Sequence, residues 1–139
     1  EPAFEVFFEA RQKVNFYEDA IPALDFLKSK YPMVALSNGN ADIHKVGLGN
    51  YFVAAFNPIS LGVGKPDPKM FHAGAEALGV LPEEVLHIGD DPHLDVLAAQ
   101  RAGMQSVWVN REEKKWTHET HPAPFTVVCL KELCKAWPV

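Results

Sequence analysis

Two short apolar runs in this 139-residue chain each end in a polar signature, and a third signature lies between them. Met33-Val34-Ala35-Leu36 leads into Ser37-Asn38-Gly39. Val85-Leu86-His87-Ile88 leads into Gly89-Asp90-Asp91, with Asp95 four residues on. Between the two stands Lys65-Pro66-Asp67-Pro68, at the head of a helical pattern. Four-residue apolar runs bounded by turn residues and separated by helices read as buried parallel strands. Polar side chains at the carboxyl ends of such strands converge where open α/β sheets hold their ligands. The fold class that follows is α/β: a Rossmann-like parallel sheet with helices on both faces.

The intervening segments fit that alternation. Ala20 to Lys30 is helical through Ile21, Leu24 and Leu27, with Asp19 as its cap and Pro22 in the first turn. Phe52 to Phe56 reads as a strand and Asn57 to Gly64 as a loop. Asp67 caps a helix with Pro68 first, carrying Met70, Phe71, Ala75 and Leu78, and Gly79 stops it. Pro92 to Ala102 is a helix ended by Gly103, and Ser106 to Val109 a strand. A short helix is expected at Ala41 to Val46, a last strand at Thr126 to Val128 and a closing helix over Leu130 to Trp137. At the start, Phe4, Phe7, Phe8 and Arg11 stand at helical spacing, so Ala3 to Val14 is expected to be an amphipathic helix.

Composition excludes several classes of function. Apolar residues are 47% of the chain, a globular value, and the length suits one domain with one core. A net charge of -5 argues against a broad nucleic-acid surface, and the three tryptophans form no basic stacking platform. No apolar run approaches the ~20 residues that cross a membrane. Cys129 and Cys134, five apart, point to different faces of a helix and are expected to stay free, which suits a cytoplasmic protein.

Each signature residue has a plain reading beside a chemical one. Ser37 is either a turn residue or a hydroxyl donor to a phosphate oxygen, with Asn38-Gly39 letting backbone N–H groups approach the anion. Lys65 is either a surface lysine or a point charge for a phosphate. Asp90 and Asp91 repel each other unless a cation or a donor lies nearby, and Mg²⁺ takes a few carboxylate oxygens plus water and phosphate. Asp91 and Asp95 could equally cap the following helix. His87 alternates with apolar strand residues and reads as a satisfied core histidine, while His93 lies beside the acidic loop. His118 and His121, three apart, lack a third ligand and read as surface residues.

The order and spacing of the three signatures, from about Asp19 to about Trp108, resemble the haloacid dehalogenase superfamily, in its phosphatase branch with an α-helical cap. That resemblance implies a hydrolase of small phosphate monoesters working through a phospho-aspartyl intermediate with Mg²⁺. It implies Ser37, Lys65 and Asp95 as catalytic residues and Ser37, Asn38, Gly39 and Lys65 as phosphate binders. Asp90 and Asp91 would serve the metal, Asp90 as its direct ligand and Asp91 as an outer-shell partner or second acid of the cluster, and Asp95 would be the group that holds Lys65. The metal-independent dehalogenases of the superfamily carry Ser and Asn where this chain has Gly89-Asp90-Asp91, which favours phosphate chemistry. The Ser37-Asn38-Gly39-Asn40 form resembles a bacterial subgroup that includes phosphatases of flavin precursors and sugar phosphates.

One family signature is not in the chain. The superfamily's first motif, Asp-x-Asp-x-Thr, supplies the attacking aspartate from the central strand, and no Asp-x-Asp occurs among the 139 residues. The chain therefore reads as a carboxy-terminal piece, inactive alone: residues 1–16 a remnant of the helical cap, residues 17–139 a core without its first strand. The family sheet order, 5-4-1-2-3, would then leave a gap beside the strands ending at Leu36 and Ile88. Another segment, the missing amino-terminal piece or a second copy of the chain, is expected to fill it. The expected partner is a small phosphorylated metabolite, with no nucleic acid and no membrane. The alternative is a degenerate module that binds a partner and catalyses nothing.

Overall fold

The computed structural model describes residues 3–7, 20–37, 49–117 and 124–135. Six strands form one sheet: β1 (Ala3–Phe7), β2 (Met33–Leu36), β3 (Ala54–Phe56), β4 (Val85–Gly89), β5 (Gln105–Val109) and β6 (Phe125–Val127). Their order is β3-β2-β1-β4-β5-β6, and every pairing is parallel. Among the described residues five α-helices accompany them: α1 (Ala20–Lys28), α2 (Pro58–Leu61), α3 (Pro68–Leu78), α4 (Ala98–Arg101) and α5 (Leu130–Lys135). Among the described residues no helix is long and apolar enough to cross a membrane.

The two faces of the sheet bury different residues of the same strands, as a period of two requires. Met33, Ala35 and Ile88 pack with Leu24 and Leu27 of α1 and Leu130 and Leu133 of α5. Val34, Leu36 and Val85 pack with Met70, Phe71 and Ala75 of α3 and Ala98 and Ala99 of α4. Both faces are therefore covered at β2 and β4, as expected of a parallel sheet, and these two strands have no solvent side on which polar residues could alternate.

The gap expected between the strands ending at Leu36 and Ile88 is closed, and this chain closes it. Ala3–Phe7 lies between β2 and β4, with Phe4 opposite Met33 and Leu86, and Val6 opposite Ala35 and Ile88. This corrects the expected helix over Ala3 to Val14, the cap-remnant role of its first residues and the core without a central strand. Residues 8–19 lie outside the described residues. The reason is long-range. Ala-Phe-Glu-Val-Phe is a short apolar run that periodicity alone assigns to neither state. The slot between β2 and β4 offers backbone partners along both edges, and only an extended segment uses both sets.

Other differences are small. The strand expected from Phe52 begins at Ala54, and the stretch expected to be all loop after Asn57 contains α2, closed by Gly62 at φ 78°. The helix expected from Pro92 starts as a π-helical turn, Pro92–Leu97, before continuing as α4. Neither Cys129 nor Cys134 is in a disulfide. The short helix expected at Ala41 to Val46 lies outside the described residues, as do His118 and His121.

Candidate active site

The strand register brings the signatures to one end of the sheet. Leu36 ends β2 opposite Phe7, while Ile88 stands opposite Val6 one step before β4 ends at Gly89. Ser37 and Asp90 thus leave the sheet on either side of the central strand's carboxyl end, roughly 10 Å apart at two strand spacings. Ser37 is buried, and its backbone N–H donates to Phe56 O at 3.1 Å, which ties the turn to β3. Asn38 and Gly39 lie outside the described residues.

Lys65 arrives from the third signature. It precedes a firmly capped helix: Asp67 Oδ1 accepts from Lys69 N at 2.9 Å, Pro68 opens α3, and Gly79 closes it in the left-handed conformation at φ 71°. The Lys65–Pro66 peptide is cis. So anchored, the lysine is 5% exposed rather than on the surface. Its Nζ donates to Asp95 Oδ1 at 2.7 Å, and both side chains are fully buried.

Asp95 sits in the π-helical turn after β4. Within that turn Val96 N–H donates to Asp91 O, five residues back, at 3.2 Å, alongside the bond from Asp95 N–H to the same oxygen at 3.0 Å. Such wide turns recur at functional sites. Asp91 caps the turn, its Oδ1 accepting from His93 N and Leu94 N at 2.8 Å each. Asp95 is completely buried beneath Asp91, whose N–H donates to Asp95 Oδ2 at 3.1 Å. Asp90 is exposed at the strand end, and Trp108 Nε1–H fixes its carbonyl oxygen at 3.0 Å.

The electrostatics follow from this packing. Burial pulls the Lys65 ammonium's pKa below its ordinary value, against the opposing pull of Asp95 and the smaller ones of Asp90 and Asp91. Burial pushes the Asp95 carboxyl up, but hydrogen bonds and charge from His87 and Lys65 together outweigh it and hold that pKa below the usual value. A buried carboxylate with three donors, the lysine among them, is half of an ion pair whose desolvation cost is offset by hydrogen bonding on both oxygens.

The predicted residues thus separate into groups. Lys65 and Asp95 are brought into contact, Asp90 stands exposed beside them, and Asp91 spends one oxygen on the helix cap. Among the described residues no three His, Cys, Asp or Glu side chains form a ready metal cage. Asp90 and Asp91 offer the hard carboxylate oxygens that Mg²⁺ takes, one or two at a time, beside its waters. Sequence reasoning missed two contributors. His87 is a satisfied core histidine as expected, but its partner is Asp95, and Trp108 clamps the backbone of Asp90. A signal for the first was available: His87 and Gly89 share a face of β4, and a glycine there leaves room for a side chain from the next turn.

Comparison with known proteins agrees with this architecture. The family model of haloacid dehalogenase-like hydrolases matches residues 3–103, and the chain belongs to that family. It is 38% identical over 106 residues to the 5-amino-6-(5-phospho-D-ribitylamino)uracil phosphatase YigB of Escherichia coli, covering 76% of this chain and 44% of the relative. It is 33% identical over 124 residues to a phosphoserine phosphatase of Thermus thermophilus, covering 85% of this chain and 50% of the relative. Among solved structures, a 2-haloacid dehalogenase from Pseudomonas syringae pv. Tomato superposes with a TM-score of 0.84 at 32% identity, over 89% of this chain and 54% of that one. The chain spans about half the length of the curated relatives it matches.

Proposed function

We propose that this chain carries the phosphate- and metal-binding half of a Mg²⁺-dependent phosphatase of small phosphate monoesters. The observation that carries the reading is the buried Lys65–Asp95 pair beside the exposed Asp90 carboxylate at the carboxyl end of a parallel sheet. Lys65 offers an ammonium, held in place by Asp95, to a phosphoryl oxygen. Ser37 offers a hydroxyl, and the turn at Asn38-Gly39 offers backbone N–H groups. Asp90 would hold Mg²⁺ together with water and the substrate phosphate, with Asp91 in the outer shell. Bound there, the cation would neutralise phosphoryl charge as the bond to the leaving oxygen breaks.

The attacking group is not among these residues. In the family it is an aspartate that becomes phosphorylated, and β1 carries Glu5 as its one acid. The chain by itself is therefore proposed to bind phosphate without turning over, since covalent catalysis needs an activated nucleophile. Two matched relatives are phosphatases by name, one of a phosphorylated ribitylaminouracil and one of phosphoserine, which supports a small metabolite as the substrate class. A dehalogenase is the second reading, motivated by the superposed Pseudomonas structure. The Asp90-Asp91 pair weighs against it, because the metal-independent branch replaces those acids.

The test is a paired assay of p-nitrophenyl phosphate and 2-chloropropionate, with and without Mg²⁺. It uses this chain and a longer form that carries an Asp-x-Asp-x-Thr segment upstream. Mg²⁺-dependent phosphate release by the longer form alone is expected. Chloride release would establish the dehalogenase, and inertness of both forms towards both substrates would leave the binding module.

A further inference from the structure

We propose that His87 is a positioning residue of this site: its imidazole holds the Asp95 carboxylate, and through it the Lys65 ammonium, in the orientation the phosphate needs. The proposal rests on the phosphatase reading for its purpose, and on geometry alone for its existence. His87 is wholly buried in β4, on the face that packs against α3 and α4. Its Nε2 lies 3.0 Å from Asp95 Oδ1, the same oxygen that receives Lys65 Nζ at 2.7 Å. Asp95 Oδ2 is occupied separately by the Asp91 N–H.

The chemistry of the three groups fixes their roles. An ionised carboxylate only accepts, so His87 must donate from Nε2. The terminal torsion of an aspartate is broad, and one lysine on one oxygen would leave the carboxylate plane free to turn. Donors on both oxygens, with two converging on Oδ1, leave it one orientation. The ring is itself held: Phe71 of α3 meets it edge-on, with centroids 5.0 Å apart and planes at 73°. Gly89, two residues further on the same strand face, leaves the space in which the Asp95 carboxylate sits. Strand, helix and turn thus meet at one oxygen atom, and Lys65 takes its position from that atom.

Lysine and histidine side-chain ¹⁵N NMR on this chain tests the proposal directly. In the unsubstituted protein the His87 ring must carry its proton at Nε2. A ring protonated only at Nδ1 overturns the idea without any variant. The Lys65 ammonium should exchange slowly with water. His87→Gln keeps a donor at the position of Nε2 and should leave that exchange within about twofold, whereas His87→Leu should speed it by about tenfold or more while methyl spectra remain native. Unchanged protection in a folded His87→Leu protein makes His87 a space-filler and overturns the proposal. If His87→Leu does not fold, His87→Gln decides, because fast Lys65 exchange in that folded variant also overturns it. In the longer, active form, His87→Leu should lower kcat by about tenfold to a hundredfold with KM little changed, and His87→Gln should restore most of it. A longer form with no phosphatase activity would sink the functional reading while leaving the NMR result for His87 intact.

Discussion

Gly89 and Asp95 stand so close that a Cβ on the glycine would overlap the Cβ, Cγ and Oδ2 of the aspartate. The glycine is not in a left-handed turn. It is the last residue of β4, and what it provides is an empty face against which a buried carboxylate lies. Gly89→Ala is therefore expected to push Asp95 off Lys65 and cost about 1–3 kcal/mol, the usual range for overpacking. Urea unfolding measures it. A variant as stable as the parent, with Lys65 exchange unchanged, would show that the turn yields without loss.

The Lys65–Asp95 pair should be asymmetric to mutation. Asp95→Ala strands a buried ammonium and is expected to cost about 3–5 kcal/mol. Lys65→Met leaves the carboxylate two of its donors, His87 and the Asp91 N–H, and should cost less. The double variant Lys65→Met, Asp95→Ala should recover part of the loss, because neither charge then needs solvation. A double-mutant cycle with zero coupling would contradict the pairing.

Acid should weaken the fold through Asp95. Its folded pKa lies below the unfolded value, so above that unfolded value, about 3.9, both states are deprotonated and the stabilisation is complete. As pH falls through the folded pKa the carboxyl protonates in both states and the contribution is gone. Lys65 has a depressed folded pKa too, so its unfolded state holds the extra proton in the alkaline window, and stability should rise there as pH climbs towards the ordinary lysine value. Denaturant midpoints measured against pH for the parent and for Asp95→Asn should differ in slope in acid. Parallel curves would remove Asp95 from the account.

Asp90 and Asp91 should separate by their failures. On the proposed reading, Mg²⁺ shifts the amide resonances of residues 90 and 91, and Asp90→Ala abolishes the shift with little effect on stability. Asp91→Ala loses the cap on two backbone N–H groups and should cost about 0.5–2 kcal/mol whether or not metal is present. Equal loss of Mg²⁺ response in Asp91→Ala, with no loss of stability, would place Asp91 on the metal alongside Asp90.

A longer form that supplies its own Asp-x-Asp-x-Thr strand should compete for the place beside β2 and β4. The amides of Ala3–Phe7, protected in this chain by neighbours on both sides, are then expected to exchange faster. Hydrogen exchange on the two forms checks this. Equal protection would mean that both strands are accommodated.

Much of this fold could be read in the chain because its strands are buried on both faces and its helices carry their own punctuation. Met33–Leu36 and Val85–Gly89 announce themselves as apolar runs, and Asp67, Pro68 and Gly79 mark both ends of α3. Ala3–Phe7 was illegible for the opposite reason. Nothing local decides its state, and its partners lie roughly thirty and eighty positions away. At the site, the residue types and spacing point to Lys65, Asp90 and Asp95. That Asp91 caps, that Trp108 binds a carbonyl and that His87 shares an oxygen with Lys65 depend on how a π-helical turn sits over β4, which no spacing rule encodes.

The central strand also dictates when the site can exist. β2 and β3 lie close in sequence and so do β4 and β5, so each pair forms by closing a modest loop. Joining the two pairs requires Ala3 to find Val85, the longest closure among the strand pairings, and such distant closures cost chain entropy before their contacts repay it. Ser37 belongs to one half and Asp90 to the other. Any chain in which that seam is still open has both halves of the proposed phosphate cradle and no cradle.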